Sequence, residues 1–289
     1  MTELRIEHHT TYWYHKPVEF GRHRLVLRPR EGHDVRVLSM SLTIAPANRL
    51  LWTRDVFGNS VAIVDFLEPA NKLDFRSEVD VFRTRPFLIE EPHAPWHVPY
   101  PVTYDRLETT IVAAYQMLSF PAGETDLRAW LTLKLPISEL TDGEATIFAL
   151  GQLVFREIKY QRRSEKGVQT PEQTLKLGTG SCRDMATLMM DAARLLGLAA
   201  RFASGYLHCS ASEAGHASTH AWTEVYLPGL GWRGFDPTIG NATGLNHIVT
   251  GVSNHPRGVM PISGMFTGAA SDYREMTVRV KTEHLEKSP

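Results

Sequence analysis

The chain has 289 residues, of which 43% are apolar and 22% charged, and this length allows about two packed domains. A formal net charge of −1 offers no basic surplus for nucleic acid and no acidic tail. The N-terminus lacks a basic patch followed by an apolar run, and no stretch of about 18 apolar residues predicts a membrane span. We therefore predict a cytoplasmic protein that binds neither nucleic acid nor membranes, with its oligomeric state left open.

Residues 1–84 predict a small antiparallel β-sandwich. Apolar and polar residues alternate over three segments that begin at Leu4, Leu38 and Leu73. A Gly58-Asn59 pair separates two further apolar runs and suits a hairpin turn. This region holds no nucleophile and no cluster of metal ligands, so we assign it no chemistry.

A proline-dense linker is predicted over residues 85–105. Proline has no amide donor and restrains its predecessor to extended conformations, so this segment is expected to connect or wrap rather than to join a sheet. The aromatic residues Phe87, Trp96 and Tyr100 suggest that it packs on a domain surface.

Residues 106–289 are predicted to form a catalytic core of helices and strands. Apolar residues at helical spacing predict helices over 127–133 and 144–158. The strands that follow are predicted over 200–207, 221–227 and 232–235, with a closing strand over 276–280.

The most informative feature of the core is a glycine-rich loop that delivers Cys182 to the first turn of a helix. An apolar stripe from Met185 to Leu196 defines this helix, and Gly197 ends it. Aligned peptide dipoles place about half a positive charge at a helix N-terminus, which favours a thiolate. The same location explains Asp184 without a catalytic role, because a carboxylate in the first turn complements the dipole.

Two later residues supply the partners that thiol chemistry needs. His220 follows Cys182 by 38 positions, and Asp236 follows His220 by 16. We expect His220 to open one strand and Asp236 to end the next, which would bring their side chains together. The pattern predicts a nucleophile, a base and an orienting carboxylate, although each residue alone has an ordinary structural explanation.

Metal binding is the competing interpretation of this region. His208, Cys209, His216 and His220 lie within 13 residues, but their spacings match no tetrahedral pattern. The sequence has no loop rich in Asp and Glu of the kind that binds calcium. We therefore expect neither a metal ion nor a cofactor. With two cysteines in the chain, a disulfide framework is excluded, and a reducing compartment argues against pairing Cys182 with Cys209.

Several motifs resemble those of bacterial transglutaminase-like proteins. The core motifs are Gly180-Ser181-Cys182-Arg183-Asp184, His220-Ala221-Trp222 and Phe235-Asp236-Pro237-Thr238, together with the passage over 194–206. Segments 23–30 and 55–60 are similar to the β-rich domain that often precedes this core in bacteria.

The resemblance implies an α+β fold, with a papain-like, transglutaminase-like core in which the nucleophile helix packs on an antiparallel sheet. It implies that Cys182 is the nucleophile, His220 the base and Asp236 the orienting residue. For the oxyanion, the Cys182 N–H is one candidate donor, and Tyr160 or Gln161 is the second, while Trp222 forms a wall of the site.

The implied reaction is cleavage of a peptide or carboxamide bond through a cysteine thioester, with a peptide or protein as substrate. Transfer of the acyl group to an amine, as in a protein-glutamine γ-glutamyltransferase, is the alternative acceptor chemistry. A non-catalytic binding protein of the same fold is the alternative from another class.

Overall fold

Alternating apolar residues build the first part of the protein, because a period of two places them all on one face of a strand. The computed structural model describes residues 2–84, 97–163, 165, 167–209 and 219–285. The first six strands are β1 (Thr2–Phe20), β2 (His23–Leu25), β3 (Val35–Ala45), β4 (Asn48–Arg54), β5 (Ser60–Phe66) and β6 (Ala70–Arg83).

The rest of the described chain mixes helices with short and long strands. The α-helices are α1 (Arg106–Gln116), α2 (Glu124–Lys134), α3 (Gly143–Glu157), α4 (Pro171–Leu177) and α5 (Cys182–Leu195). The strands are β7 (Lys159–Tyr160), β8 (Thr179–Gly180), β9 (Ala199–Leu207), β10 (His220–Leu227), β11 (Gly231–Asp236), β12 (Asn241–Ala242), β13 (His247–Ser253), β14 (Ile262–Ser263), β15 (Phe266–Thr267) and β16 (Tyr273–His284). Short 3-10 turns are Pro121–Gly123, Ile137–Glu139, Pro256–Val259 and Ala270–Asp272.

Two antiparallel sheets enclose the first hydrophobic core. In one sheet β3, β6 and β1 are neighbours, and β1 also pairs with β15 and β16; in the other the order is β14-β2-β5-β4. Leu25 and Val64 from the second sheet pack with Leu73 and Phe75 from the first, and all four are buried. The predicted hairpin is confirmed, since β4 pairs with β5 and Gly58 between them adopts a positive φ of 73°.

The end of the chain completes the sheets of its beginning. β16 pairs with β1 from Leu4 opposite His284 to Tyr14 opposite Tyr273, and β14 pairs with β2. The division into domains 1–84, 85–105 and 106–289 stays a prediction. Such a division assigns β1 and β16 to different domains, although they pair in one sheet. Phe87 and Trp96 of the predicted linker lie outside the described residues.

A second core forms where α5 packs on an antiparallel sheet of order β12-β11-β10-β9-β13. Met185, Leu188 and Met189 of the helix are buried against Phe202 and Val225 of the sheet. The Thr223 hydroxyl donates to the Ala186 carbonyl oxygen at 2.8 Å and so ties β10 directly to the helix. The α+β prediction, with a helix packed on an antiparallel sheet, is confirmed.

The sandwich and the core pack against each other. Leu4 and Val81 of the first sheet form one buried cluster with Tyr206 of β9 and Ile248 of β13. The side chains of His8 and Tyr206 hydrogen-bond across this contact at 2.9 Å. No helix in the described ranges is long and apolar enough to cross a membrane.

Among the longer elements, three are not predicted from the sequence: α4, β13 and α1. The first turn of α4 has a local signal, because the Thr170 hydroxyl accepts from Gln173 N–H and the Gln173 side chain accepts from Thr170 N–H. β13 is buried on both faces and therefore lacks an alternating pattern. For α1, Asp105 forms a capping box with Glu108, but only Val112 of the helix is buried.

Candidate functional site

Cys182 is the first residue of α5, and its side chain is buried, with 7% exposure. The loop before it is compact because Gly180 lies against the helix, where an added Cβ would lie 2.9 Å from Cβ of Asp184. As the first residue of the helix, Cys182 has a backbone N–H without an intrahelical acceptor. The thiol therefore lies beside an unused donor at the positive end of the helix dipole.

Asp184 holds this loop in place. Its carboxylate has no solvent exposure, and it accepts from Ser181 N–H at 2.8 Å and from Gln169 N–H at 2.7 Å. The Arg163 guanidinium lies 2.9 Å from both carboxylate oxygens. The helix dipole is enough to explain Asp184 from the sequence, but in the structure Asp184 connects three parts of the segment that leads to Cys182.

His220 begins β10 and its imidazole contacts a buried carboxylate. Its Nε2 is 2.6 Å from Oδ2 of Asp236, and Cys182 lies near enough to contribute to the raised pKa of the ring. Because Nε2 hydrogen-bonds the carboxylate, Nδ1 is the ring nitrogen that is available to the thiol. Burial by itself lowers the pKa of His220, but the hydrogen bonds with Asp236 and then Cys182 outweigh burial and raise the pKa from 6.5 to about 10.

Asp236 ends β11 and is fully buried among four hydrogen-bond donors. Oδ2 accepts from Nε2 of His220 at 2.6 Å and from Nε2 of His247 at 3.1 Å. Oδ1 accepts from the Thr238 N–H at 2.9 Å and from the Thr238 hydroxyl at 2.7 Å. Burial by itself raises the pKa of Asp236, but the hydrogen bonds from His220 and then His247 hold it well below its usual range. The carboxylate is therefore held charged and in one orientation.

His247 is a member of this group that the sequence analysis did not identify. It begins β13, which reaches the site because Gly205 of β9 admits the Ile248 carbonyl; an added Cβ would lie 2.0 Å from that oxygen. The Nδ1 of His247 accepts from Gly244 N–H at 3.2 Å, so Nε2 carries the proton that points to Asp236. Its only sequence signal is its place before an apolar run, which many histidines share.

In the described part of the chain, the side chains that converge closely enough for one metal ion are His220, Asp236 and His247. Two ligand atoms on a tetrahedral zinc ion lie about 3.3 Å apart, given bonds of about 2.0 Å. The 2.6 Å between His220 Nε2 and Asp236 Oδ2 is shorter, so it fits a shared proton. Of the ligands considered from sequence, His208 instead hydrogen-bonds Thr282 at 3.0 Å, and His216 lies outside the described residues.

Tyr160 lines the same cavity as Cys182. The short parallel pairing of β7 with β8 places Tyr160 opposite Gly180, two residues before the cysteine. Burial and then the nearby Cys182 raise the pKa of Tyr160, so its hydroxyl keeps its proton and can donate. Gln161 gives its backbone N–H to the Gly180 carbonyl, and its side chain is exposed outside the cavity lining.

Trp222 lies beside the imidazoles and away from the cavity. Its ring is 6.2 Å from that of His220 and 5.1 Å from that of His247, and it packs with Ala203 and Val252. It does not line the cavity that contains Cys182. Trp222 therefore supports the histidines from within the core.

Arg183 follows Cys182 in the first turn of α5 and lines the same cavity. Its guanidinium is 5.9 Å from the Phe202 ring centre and donates to the Pro256 carbonyl at 3.3 Å. Burial lowers its pKa, while Cys182 and then Asp184 act in the opposite direction. Cys182 and the exposed Cys209 do not form a disulfide.

The fold and the site define an α+β protein with a buried thiol next to a histidine–carboxylate pair. Residues 132–237 match the transglutaminase-like superfamily, and residues 4–81 match the bacterial transglutaminase-like N-terminal region. The chain thus matches a bacterial transglutaminase-like N-terminal region followed by a transglutaminase-like core, in the order that the motifs predict.

Relatives of similar length are known in mycobacteria. An uncharacterized protein of Mycobacterium tuberculosis is 28% identical over 294 residues, covering 96% of this chain and 91% of that protein. Another, from Mycobacterium leprae, is 22% identical over 286 residues, covering 97% and 99%. The crystal structure of a candidate cysteine protease from Cytophaga hutchinsonii matches with a TM-score of 0.75 at 16% identity, covering 99% of this chain and 92% of that chain. At this identity the likeness concerns the fold.

Proposed function

We propose that this protein is a thiol-dependent acyl-transfer enzyme that cleaves a peptide or carboxamide bond through a Cys182 thioester. The observation that carries the proposal is the 2.6 Å contact between His220 and the buried Asp236, with Cys182 near enough to contribute to the raised pKa of His220. A transglutaminase-like core and a fold neighbour described as a candidate cysteine protease support the same class of chemistry.

In the first half-reaction the Cys182 sulfur attacks the substrate carbonyl carbon. The raised pKa of His220, about 10, keeps its ring protonated near neutral pH, so Nδ1 donates that proton to the leaving amine. Asp236 stabilises the charged ring through Nε2. The negative oxygen of the tetrahedral intermediate is received by the Cys182 N–H and the Tyr160 hydroxyl. Collapse releases the amine and leaves a thioester.

In the second half-reaction the neutral His220 removes a proton from water, and the hydroxide attacks the thioester. The carboxylic acid product leaves, and sulfur and imidazole return to their charged pair. An amine in place of water yields a new amide by the same proton movements. We favour water, so the enzyme acts as a peptidase or amidase on a peptide or protein substrate.

Alkylation by iodoacetamide at graded pH tests whether Cys182 is activated. The exposed Cys209 provides an internal reference, since mass spectrometry separates the two labelled peptides. Cys182 should react at pH values well below about 8.5, where an ordinary thiol ionises. Labelling of Cys182 only near that pH would favour a non-catalytic binding protein of the same fold.

Turnover of a glutamine peptide, with and without excess primary amine, tests the acceptor. Release of ammonia without incorporation of the amine supports hydrolysis, whereas an amine-linked product supports γ-glutamyl transfer. His220→Ala should lower turnover by orders of magnitude, as loss of a triad base does in other enzymes. Cys209→Ser is the matched control and should retain wild-type turnover; unaltered turnover in His220→Ala would remove His220 as the base.

Location in the cytoplasm and the absence of nucleic-acid or membrane partners belong to the same proposal. Two cysteines outside any disulfide are compatible with a reducing compartment. Measuring the activity and the protein itself in separated cell fractions tests the location; recovery in an extracytoplasmic fraction would overturn it.

A further inference from the structure

Cys182 opens into a cavity that is walled by both parts of the protein. The cavity has a volume of about 530 Å³, within the usual range of about 300–1,000 Å³ for ligand pockets. The core contributes Tyr160, Arg162 and Arg183 around the thiol. The opposite wall comes from strands of the first sheets, and its Tyr12 and Tyr14 belong to residues 1–84, to which the sequence analysis assigned no chemistry.

The sandwich wall is aromatic and apolar. Tyr14 contacts Phe266 and Tyr273 edge to face, with ring centres 4.9 and 6.2 Å apart, and all three line the cavity. Tyr12 and Met276 also line it and are paired across β1 and β16. Tyr12, Tyr14, Tyr273 and Met276 stand on the long paired ladder of β1 and β16, which fixes their positions.

This wall is also uncharged. Burial raises the pKa of Tyr12 to about 12, and burial with a contribution from Tyr273 raises that of Tyr14 to about 12. Their hydroxyls therefore keep their protons across the physiological range. Such a surface gains free energy by covering apolar area and carries no opposite charge to pair with a charged group.

The charges of the cavity lie on the core side. Arg163 is neutralised by the buried Asp184 at 2.9 Å and has Glu165 at 3.5 Å. Arg162 and Arg183 lie on the same side, with the thiol. A substrate that puts its scissile carbonyl at Cys182 thus meets polar groups there and apolar side chains opposite.

We infer that the sandwich selects the substrate: the acyl donor carries a bulky apolar side chain, aromatic or branched, next to the scissile carbonyl. This rests on the proposed function, since it names the substrate class of the same site. The side chain packs on the wall of Tyr12, Tyr14, Phe266, Tyr273 and Met276, and this contact sets the carbonyl carbon beside the sulfur.

Acetyl-aminoacyl chloromethyl ketones test the inference without requiring turnover. The thiolate displaces chloride and forms a thioether, so the labelling rate of Cys182 reports recognition of the side chain. Phenylalanine and leucine probes should label about tenfold to hundredfold faster than glycine and aspartate probes. A glutamine probe that labels fastest, or equal rates for all probes, would overturn the inference.

Substitution of the wall identifies which surface makes the contact. Met276 lines the cavity with 48% exposure, and Met117, with 70% exposure, lies at the end of α1 outside the cavity lining. Met276→Glu should lower the phenylalanine rate at least tenfold relative to the aspartate rate, and the milder Met276→Ala should lower it about threefold. Met117→Glu is the control and should keep the wild-type ratio; an unchanged ratio in both Met276 variants would overturn the inference.

The two proposals fail in different ways. A preference for apolar probes together with no cleavage of any peptide or amide would support the selective wall and remove the acyl-transfer proposal. Cleavage of peptides without any side-chain preference would support acyl transfer and overturn the selective wall.

Discussion

Replacement of Asp236 by Asn tests the proton arrangement of the site with almost no change in shape. All four partners of the carboxylate are donors: the two histidine Nε2 atoms and the Thr238 N–H and hydroxyl. Asparagine has one oxygen, so its amide group must face either Thr238 or the histidines. If the amide oxygen accepts the hydrogen bonds from Thr238, the amide N–H₂ group faces Nε2 of His220.

That arrangement reverses the tautomer of His220. Nε2 must give up its proton to accept from the amide, and Nδ1 then carries the proton toward Cys182, so the neutral ring no longer takes a proton from the thiol. The pKa of His220, about 10 in the wild type, also falls. Burial lowers this pKa, and the substitution removes the hydrogen bond to a charged Asp236 that opposes the effect of burial. The shift from 6.5 to about 10 corresponds to roughly 5 kcal/mol of stabilisation of the charged ring, shared between Asp236 and Cys182.

A loss of that size predicts a decrease in kcat/KM of about 10³–10⁴-fold, as seen for the equivalent change in a serine protease triad. The assay is cleavage of an amide substrate at pH 7, with alkylation of Cys182 against pH as a second readout. Thr238→Val is the matched control; it removes only the hydroxyl donor and should cost about tenfold or less. If Asp236→Asn stayed within tenfold of the wild type in both readouts, the assigned proton positions would be wrong.

Three further outcomes are expected. His247→Gln keeps an N–H near the Nε2 position and should retain most of kcat/KM, whereas His247→Leu removes the donor to Asp236 and should lower it about tenfold to hundredfold; equal values would exclude a positioning role. Arg194→Met leaves the buried Asp191 without the guanidinium now 3.2 Å away and should lower the free energy of unfolding by about 3–5 kcal/mol, and a urea titration showing less than about 1 kcal/mol would contradict this. Because the pKa of His220 is raised from 6.5 to about 10, its stabilising contribution is complete below about pH 6.5 and is lost as the pH rises through about 10; the difference in unfolding free energy between wild type and His220→Gln should shrink over that interval, and a constant difference would refute the assignment.

Local patterns were sufficient to single out the three groups of the proposed site. Cys182 stands out because a glycine-rich loop, a start signal and an apolar stripe all occur within a few residues of it. His220 and Asp236 could be paired in advance because Gly229 and Gly231, both with positive φ, turn the chain between their strands. The hairpin register Thr223 opposite Phe235 then brings the strand ends together.

The supporting residues were not predictable in this way. His247 reaches Asp236 through β13, which pairs with β9, so its approach depends on the Gly205 contact and on no local motif. Asp184 has an adequate local explanation in the helix dipole, and only the folded chain places Arg163 against it. Pairings between distant segments are decided by packing, and one sequence does not show which distant segments meet.

The sequence by itself indicated the groups of the proposed thiol chemistry, because a thiol at a helix start and an imidazole and carboxylate on adjoining strands are set by short-range geometry. Tertiary structure decided the surroundings of that chemistry. The C-terminal strand β16 returns to pair with β1, and together they place Tyr12, Tyr273 and Met276 in the wall facing Cys182. Residues more than 250 positions apart in the sequence make this wall. They are brought together by the burial of apolar area between the sandwich and the core, and no short segment contains both of these surfaces.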